Sequence, residues 1–149
     1  MTALDLMVAM DFSPHGKAVL RVARRFGRTL DAKVWIVHAV SPAVGVASCN
    51  GGRRDRVAAA AEVREEHRLV QEAAATLRDG GVDAVALLVE GPPAKVVLEE
   101  ASRLEVDMII IGSHGYGAVA RALLGSVSAG VVRRAQCPVL VVPAAKKAP

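Results

Sequence analysis

Met108-Ile109-Ile110-Ile111-Gly112-Ser113-His114-Gly115, then nine residues, then Gly125-Ser126-Val127, is the stretch from which the rest of the chain can be read. An apolar run, a glycine-rich loop and a helix expected over Val127–Ala135 follow one another. Glycines let the backbone turn sharply and approach an anion closely, because no Cβ stands in the way. Unpaired N–H groups at the start of the next helix, with the helix dipole behind them, favour negative charge there. Taken alone, these glycines fit both a phosphate cradle and an ordinary strand-to-helix connection.

The charge pattern around this stretch is uneven. All 15 acidic side chains lie within residues 1–107, whereas Arg121, Arg133, Arg134, Lys146 and Lys147 lie beyond them. The glycine loop therefore sits in the part of the chain without a carboxylate, which suits an anionic ligand; the same bases also fit a solvated surface. Phe12, Phe26, Trp35 and Tyr116 make no stacking series and no dense basic run occurs, so no nucleic-acid partner is expected.

A chain of 149 residues suits one domain, expected over residues 1–143 with 144–149 as a flexible tail. Hydrophobic residues make up 52%, yet no apolar stretch approaches the roughly 18–20 residues that cross a bilayer, so no membrane partner is expected. The N-terminus lacks the sections of a signal peptide, and a soluble cytoplasmic protein is the expectation. Cys49 and Cys137 are too few and too weakly patterned for a disulfide framework or a zinc site, and Cys137 reads as a small buried hydrophobe.

Strand candidates are Leu4–Met10, Val34–Val40, Val82–Val89, Asp107–Ile111 and Val139–Val142. Between the first two, Ser13-Pro14 reads as a helix start with a capping hydroxyl and proline in the first turn. Ala18, Val22, Phe26 and Thr29-Leu30 follow at helical spacing. Ser41–Arg53, rich in glycine and proline, reads as a mobile loop. A long helix over Arg54–Asp79 puts Val63, Val70, Ala74 and Leu77 inward and stops at Gly80-Gly81. Pro92-Pro93 opens another helix, with Ala94, Val97, Leu98, Ala101 and Leu104 on one face.

Strands alternating with helices predict a doubly wound α/β fold with a parallel sheet covered on both faces. In such sheets ligands bind beyond the carboxyl ends of the strands, where the strand order reverses. Loops Asp11–Gly16 and Gly112–Ser126 border one crevice if the first and fourth strands are neighbours.

At this point the chain closely resembles the universal stress protein family. The likeness rests on Asp11-Phe12-Ser13-Pro14 after the first strand, Val37-His38-Ala39-Val40, Glu90-Gly91-Pro92-Pro93, Asp107–Gly112 and Cys137-Pro138-Val139-Leu140-Val141-Val142. Most specific is Gly-x-x-Gly-x9-Gly-Ser, which marks the family's ATP-binding branch and occurs as Gly112, Gly115, Gly125 and Ser126. One position departs: Gly16 stands where the family often has a second serine.

The resemblance implies an open five-stranded parallel sheet in the order 3-2-1-4-5, helices on both faces, and ATP with Mg²⁺ between strands one and four. Carried onto this chain, Asp11 would lie by the adenosine end and the backbone around Ala39 would line the adenine pocket. Gly112 would border the ribose, Gly115, Gly125 and Ser126 would contact the phosphates, and Ser13, His114 and Val127 complete the binding set. No catalytic residue and no protein ligand for a metal is assigned. A homodimer through Val139–Val142 is implied too, and an apolar edge strand tends to pair with another chain.

Read on their own, Asp11 could bind a ligand or cap the next helix, and Arg121 could meet a phosphate or only solvent. His114 has no identified partner and is given no acid–base role. His38 reads as a hydrogen-bonded core histidine and Trp35 as core packing. Gly115-Tyr116-Gly117-x-x-Ala120 fits a loose dinucleotide fingerprint, but no acid follows Asp107, and no Walker lysine is present. Binders without a general base point to a nucleotide-dependent dimeric switch read by an unidentified protein partner. The alternatives are a slow ATPase or self-phosphorylating enzyme with Ser126 or Ser128 as acceptor, and a nucleotide-independent dimeric interaction module.

Overall fold

The computed structural model describes residues 3–41, 52–113 and 124–144. The loop expected over Ser41–Arg53 and the tail expected over 144–149 fall largely outside those residues. Five strands, β1 (Asp5–Ala9), β2 (Lys33–Val40), β3 (Ala84–Glu90), β4 (Met108–Gly112) and β5 (Val139–Val142), make one parallel sheet. Four described helices join them: α1 (Gly16–Thr29), α2 (Arg53–Asp79), α3 (Pro93–Arg103) and α4 (Ser126–Arg134). The strand order is β3-β2-β1-β4-β5, as the resemblance implied.

Leu6 of β1 pairs with Val34 on one side and Met108 on the other, so the order reverses between β1 and β4. Successive strand residues point to opposite faces, and both faces are covered, which is why Leu6–Ala9 of β1 and Met108–Ile111 of β4 are apolar without a break. Leu6, Val8, Val34, Ile36 and Ile110 pack with Val19 and Ala23 of α1 and Val70, Ala74 and Leu77 of α2. On the other face Met7, Val37, Ile109 and Ile111 pack with Val96, Val97 and Ala101 of α3 and Val131 of α4.

The inward face of α1 differs from the expected one. Gly16, Val19, Ala23 and Gly27 are buried, Ala18, Val22 and Phe26 flank them, and Leu30 is 41% exposed. The reason is close approach at Gly27, where a Cβ would lie 2.8 Å from Val82 Cγ1 and 3.1 Å from Val34 Cγ2. Small residues set the line of contact here, and large apolar ones sit beside it.

At the amino end of the sheet Asp5 joins three strands. Its backbone N–H donates to Asp107 Oδ2 at 2.8 Å, and its own Oδ1 accepts from Trp35 Nε1 at 2.7 Å. Trp35 is therefore more than apolar filling: it is half-buried, with its indole N–H paired and Lys33 Nζ 4.5 Å above the ring. Among the described residues no helix is long and apolar enough to cross a membrane.

Candidate functional site

Where β1 ends, the chain leaves the sheet through a tight pair of turns. Asp11 Oδ1 accepts the Ser13 backbone N–H at 3.0 Å, and the Gly16 N–H donates to Ser13 O at 2.9 Å. Ser13 therefore does not cap α1, as the sequence had suggested. His15 holds the cap position, without a side-chain bond, and Pro14 lies in the turn ahead of the helix. Because the Asp11 carboxylate captures the Ser13 amide first, the helix starts later and the serine hydroxyl turns inward. Ser13 is 6% exposed, and its Oγ is buried with no hydrogen-bond partner among the described residues. Between them Phe12 adopts φ 56°, a left-handed conformation that costs a residue with a side chain roughly 1–2 kcal/mol. At Gly16, the position that departs from the family pattern, a Cβ would lie 3.0 Å from Met10 Cε. The methionine fills the place of the second serine's side chain.

The end of β4 is fastened to the start of α4. Ser113 donates its N–H to Val142 O at 2.9 Å and accepts the Gly125 N–H on its carbonyl at 2.8 Å. Its Oγ accepts the Ala144 N–H at 3.2 Å. Ser128 Oγ donates to Gly112 O at 2.6 Å. These bonds hold Gly112 and Gly125 together whatever path residues 114–123 take. Sequence reasoning gave Ser113 no part in this, although a serine directly after the strand glycine was the available signal.

β1 and β4 are neighbours, and their two loops bound one cavity of about 240 Å³. Asp11 and Ser13 line it from the first loop, Ala39 from β2, and Gly112, Gly125, Ser126 and Val127 from the second crossover. His114 and Gly115, the other two residues of the expected set, lie outside the described residues, as does Arg121. Met10, Val37, Pro93, Val97 and Ser128 line the cavity too, and the sequence assigned none of them to the binding set.

Polar and apolar groups both line the cavity. Asp11 brings the one carboxylate among its lining residues. The first turn of α4 lines it too; it carries no acid, and its leading N–H groups have no partner within the helix. That helix end favours an anion, and the walls from Val37, Pro93 and Val97 suit a flat apolar group. Ser128 is 4% exposed with its hydroxyl committed to Gly112, so it is no candidate phosphate acceptor; Ser126 is exposed.

A second hollow, of about 520 Å³, lies at the amino ends of β4 and β5 beside Cys137, Glu99, Ser102 and Arg134. It is larger, but no buried unpartnered polar side chain lines it. Burial pushes the Cys137 thiol above its ordinary value, with Asp107 adding a smaller push in the same direction. Among the described residues, no group of three or more His, Cys, Asp or Glu is placed to hold a metal ion.

Comparison with known proteins agrees with the fold. The chain is 34% identical over 140 residues to the universal stress protein in the QAH/OAS sulfhydrylase 3' region of Thermus aquaticus, spanning 92% of this chain and 96% of that one. It is 31% identical over 143 residues to universal stress protein A homolog 2 of Coxiella burnetii, with 92% of each covered. Among solved structures it is similar to hypothetical protein MJ0577, with a TM-score of 0.83 and 23% identity over 99% of this chain and 100% of that one. It is also similar to a universal stress protein in complex with cAMP, with a TM-score of 0.68 and 25% identity over 96% and 98% of the two chains. The profile of the universal stress protein family matches residues 5–143, and the chain belongs to that family.

Proposed function

We propose that the cavity between β1 and β4 binds an adenine nucleotide, ATP with Mg²⁺ held through its phosphates, and that the bound state is read by a protein partner. The observation that carries this is the Ser13 hydroxyl, buried in the cavity wall with nothing to bond. A buried polar group without a partner costs about 1–3 kcal/mol, and a ligand hydroxyl or ring nitrogen would relieve it. Support comes also from the intact Gly112-x-x-Gly115-x9-Gly125-Ser126 spacing and from the similar protein that binds cAMP.

In this reading Asp11 offers its second carboxylate oxygen to ligand hydroxyls, while Ala39, Val37 and Val97 bound the base. Gly125, Ser126 and Val127 would hold phosphate through backbone N–H groups at the start of α4, with His114 and Gly115 completing that end. The cavity volume is near the low end of the roughly 300–1,000 Å³ of small-molecule sites, which fits the nucleoside portion. Mg²⁺ would supply charge neutralisation between phosphate oxygens. The same reading makes the protein a cytoplasmic homodimer paired through Val139–Val142.

Thermal unfolding of nucleotide-stripped protein tests it, with Mg²⁺ and ATP, ADP, AMP or cyclic AMP in turn. Ligand at 100 times its dissociation constant adds about 2.7 kcal/mol, which raises the midpoint of a domain this size by roughly 5–10 °C. The shift should be largest for ATP and vanish in Gly125→Val. No shift with any nucleotide overturns the proposal and leaves a nucleotide-independent dimer, which sedimentation at micromolar concentration would detect.

A further inference from the structure

We infer that His38 is a positioning residue for the cavity: its imidazole holds the Met10 carbonyl, and through it the strained Asp11–Ser13 loop, in place. For its effect on affinity this rests on the nucleotide reading above; for its effect on the loop it does not.

His38 lies inside apolar β2, one residue before Ala39 of the cavity wall, and is only 9% exposed. A polar ring so placed needs partners. Its Nδ1 is 2.7 Å from Met10 O. A carbonyl only accepts, so Nδ1 carries the hydrogen and donates, whatever the charge of the ring. The N–H of the same Met10 donates to Val37 O at 2.9 Å. Both ends of the last residue before the loop are thus anchored to β2, one by backbone and one by the imidazole.

The ring also reaches the far side of Asp11. Phe12, the residue at φ 56°, packs its ring against His38 with centroids 4.7 Å apart and planes tilted by 58°. A left-handed phenylalanine persists where surrounding contacts over-determine it. One imidazole therefore grips the residues immediately before and after Asp11, whose carboxylate in turn holds Ser13.

The other ring nitrogen makes no bond of its own. Nε2 lies 3.6 Å from Glu66 Oε1 on α2, too long for a hydrogen bond, and is buried with no hydrogen-bond partner among the described residues. Leu88 of β3 is the apolar neighbour in register. The bond that reaches the loop is the one through Nδ1.

Two variants separate these roles. In His38→Asn the side-chain amide nitrogen takes the place of Nδ1 and keeps a donor for Met10 O. In His38→Gln the amide reaches toward Nε2 and loses that donor. Amide hydrogen exchange of the ligand-free proteins should show residues 11–13 exchanging faster in His38→Gln and near the wild-type rate in His38→Asn. Glu66→Gln, which leaves the Nδ1 bond intact, should also keep the wild-type rate. Titration with ATP and Mg²⁺ should then give a dissociation constant raised about fivefold to tenfold in His38→Gln, the effect of one lost hydrogen bond.

Equal acceleration in His38→Asn and His38→Gln would overturn the inference in favour of simple packing. So would acceleration in Glu66→Gln, which remains a usable comparison if His38→Gln fails to fold. Wild-type protein that binds no nucleotide would sink the ligand reading alone, since the exchange comparison needs no ligand.

Discussion

Ser128 Oγ on α4 donates to Gly112 O at the end of β4 at 2.6 Å, and this short bond closes the crossover that carries the glycine spacing. Ser128→Ala leaves a part-buried carbonyl without that donor. The expected loss of stability is about 0.5–1.5 kcal/mol, the net worth of such a bond. Urea unfolding should show a lower midpoint at unchanged slope, and an unchanged midpoint would mean that the backbone contacts of Ser113 suffice.

Gly27→Ala pits helix propensity against packing. Alanine gains about 1 kcal/mol over glycine inside a helix, yet overpacking a close contact costs about 1–3 kcal/mol. The added methyl would sit 2.8 Å from Val82 Cγ1, and Val82 is itself buried with a stiff, branched side chain. Packing should prevail, and thermal unfolding should report a lower midpoint. A stabilised variant would show that α1 can lift off the sheet at little cost.

Cys137 should be a slow nucleophile. Its thiol is pushed up chiefly by burial, so the reactive thiolate forms only at higher pH than in a free cysteine. In a Cys49→Ser background, alkylation by iodoacetamide should lag behind that of a small thiol at pH 8. The rate should still be climbing above the ordinary cysteine range near pH 8.5. A rate levelling off below that range would contradict the burial argument.

Arg68 is expected to matter little despite its two partners. It pairs with Glu65 and Glu72 on the outer side of α2, and all three side chains are more than half exposed. Exposed ion pairs are screened by solvent and offset by lost side-chain freedom. Arg68→Ala should keep the wild-type unfolding midpoint at moderate salt, as calorimetry can check.

The sheet was largely legible from the sequence, because buried parallel strands are apolar runs separated by helical periodicity. β5 matches its expected span residue for residue, and both prolines around it lie outside the strand. What could not be read was the work of small and polar residues. The α1 face was misjudged because Ala23 and Gly27 make the contact, while counting favours Phe26 and Leu30. Ser13 was misjudged because a capping hydroxyl and an inward hydroxyl look alike in sequence, and the difference depends on which amide Asp11 captures. His38 was recognised as a bonded core histidine, yet its partner, the Met10 carbonyl, is 28 residues away and becomes adjacent only through strand register.

The pairing of β1 with β4 joins segments about 100 residues apart, as the 102-residue span of the Asp5–Asp107 bond illustrates. Contacts so distant in sequence form late, since the entropy of closing the intervening chain must be overcome before they contribute. A nascent chain emerging as far as β3 has β1, β2 and the loop with Asp11 and Ser13, but no second wall. The cavity thus comes into being only when β4 and α4 have been made, and no ligand bound there can assist the earlier steps of folding. Occupancy of the site reports that β4 and α4 have joined β1 and β2.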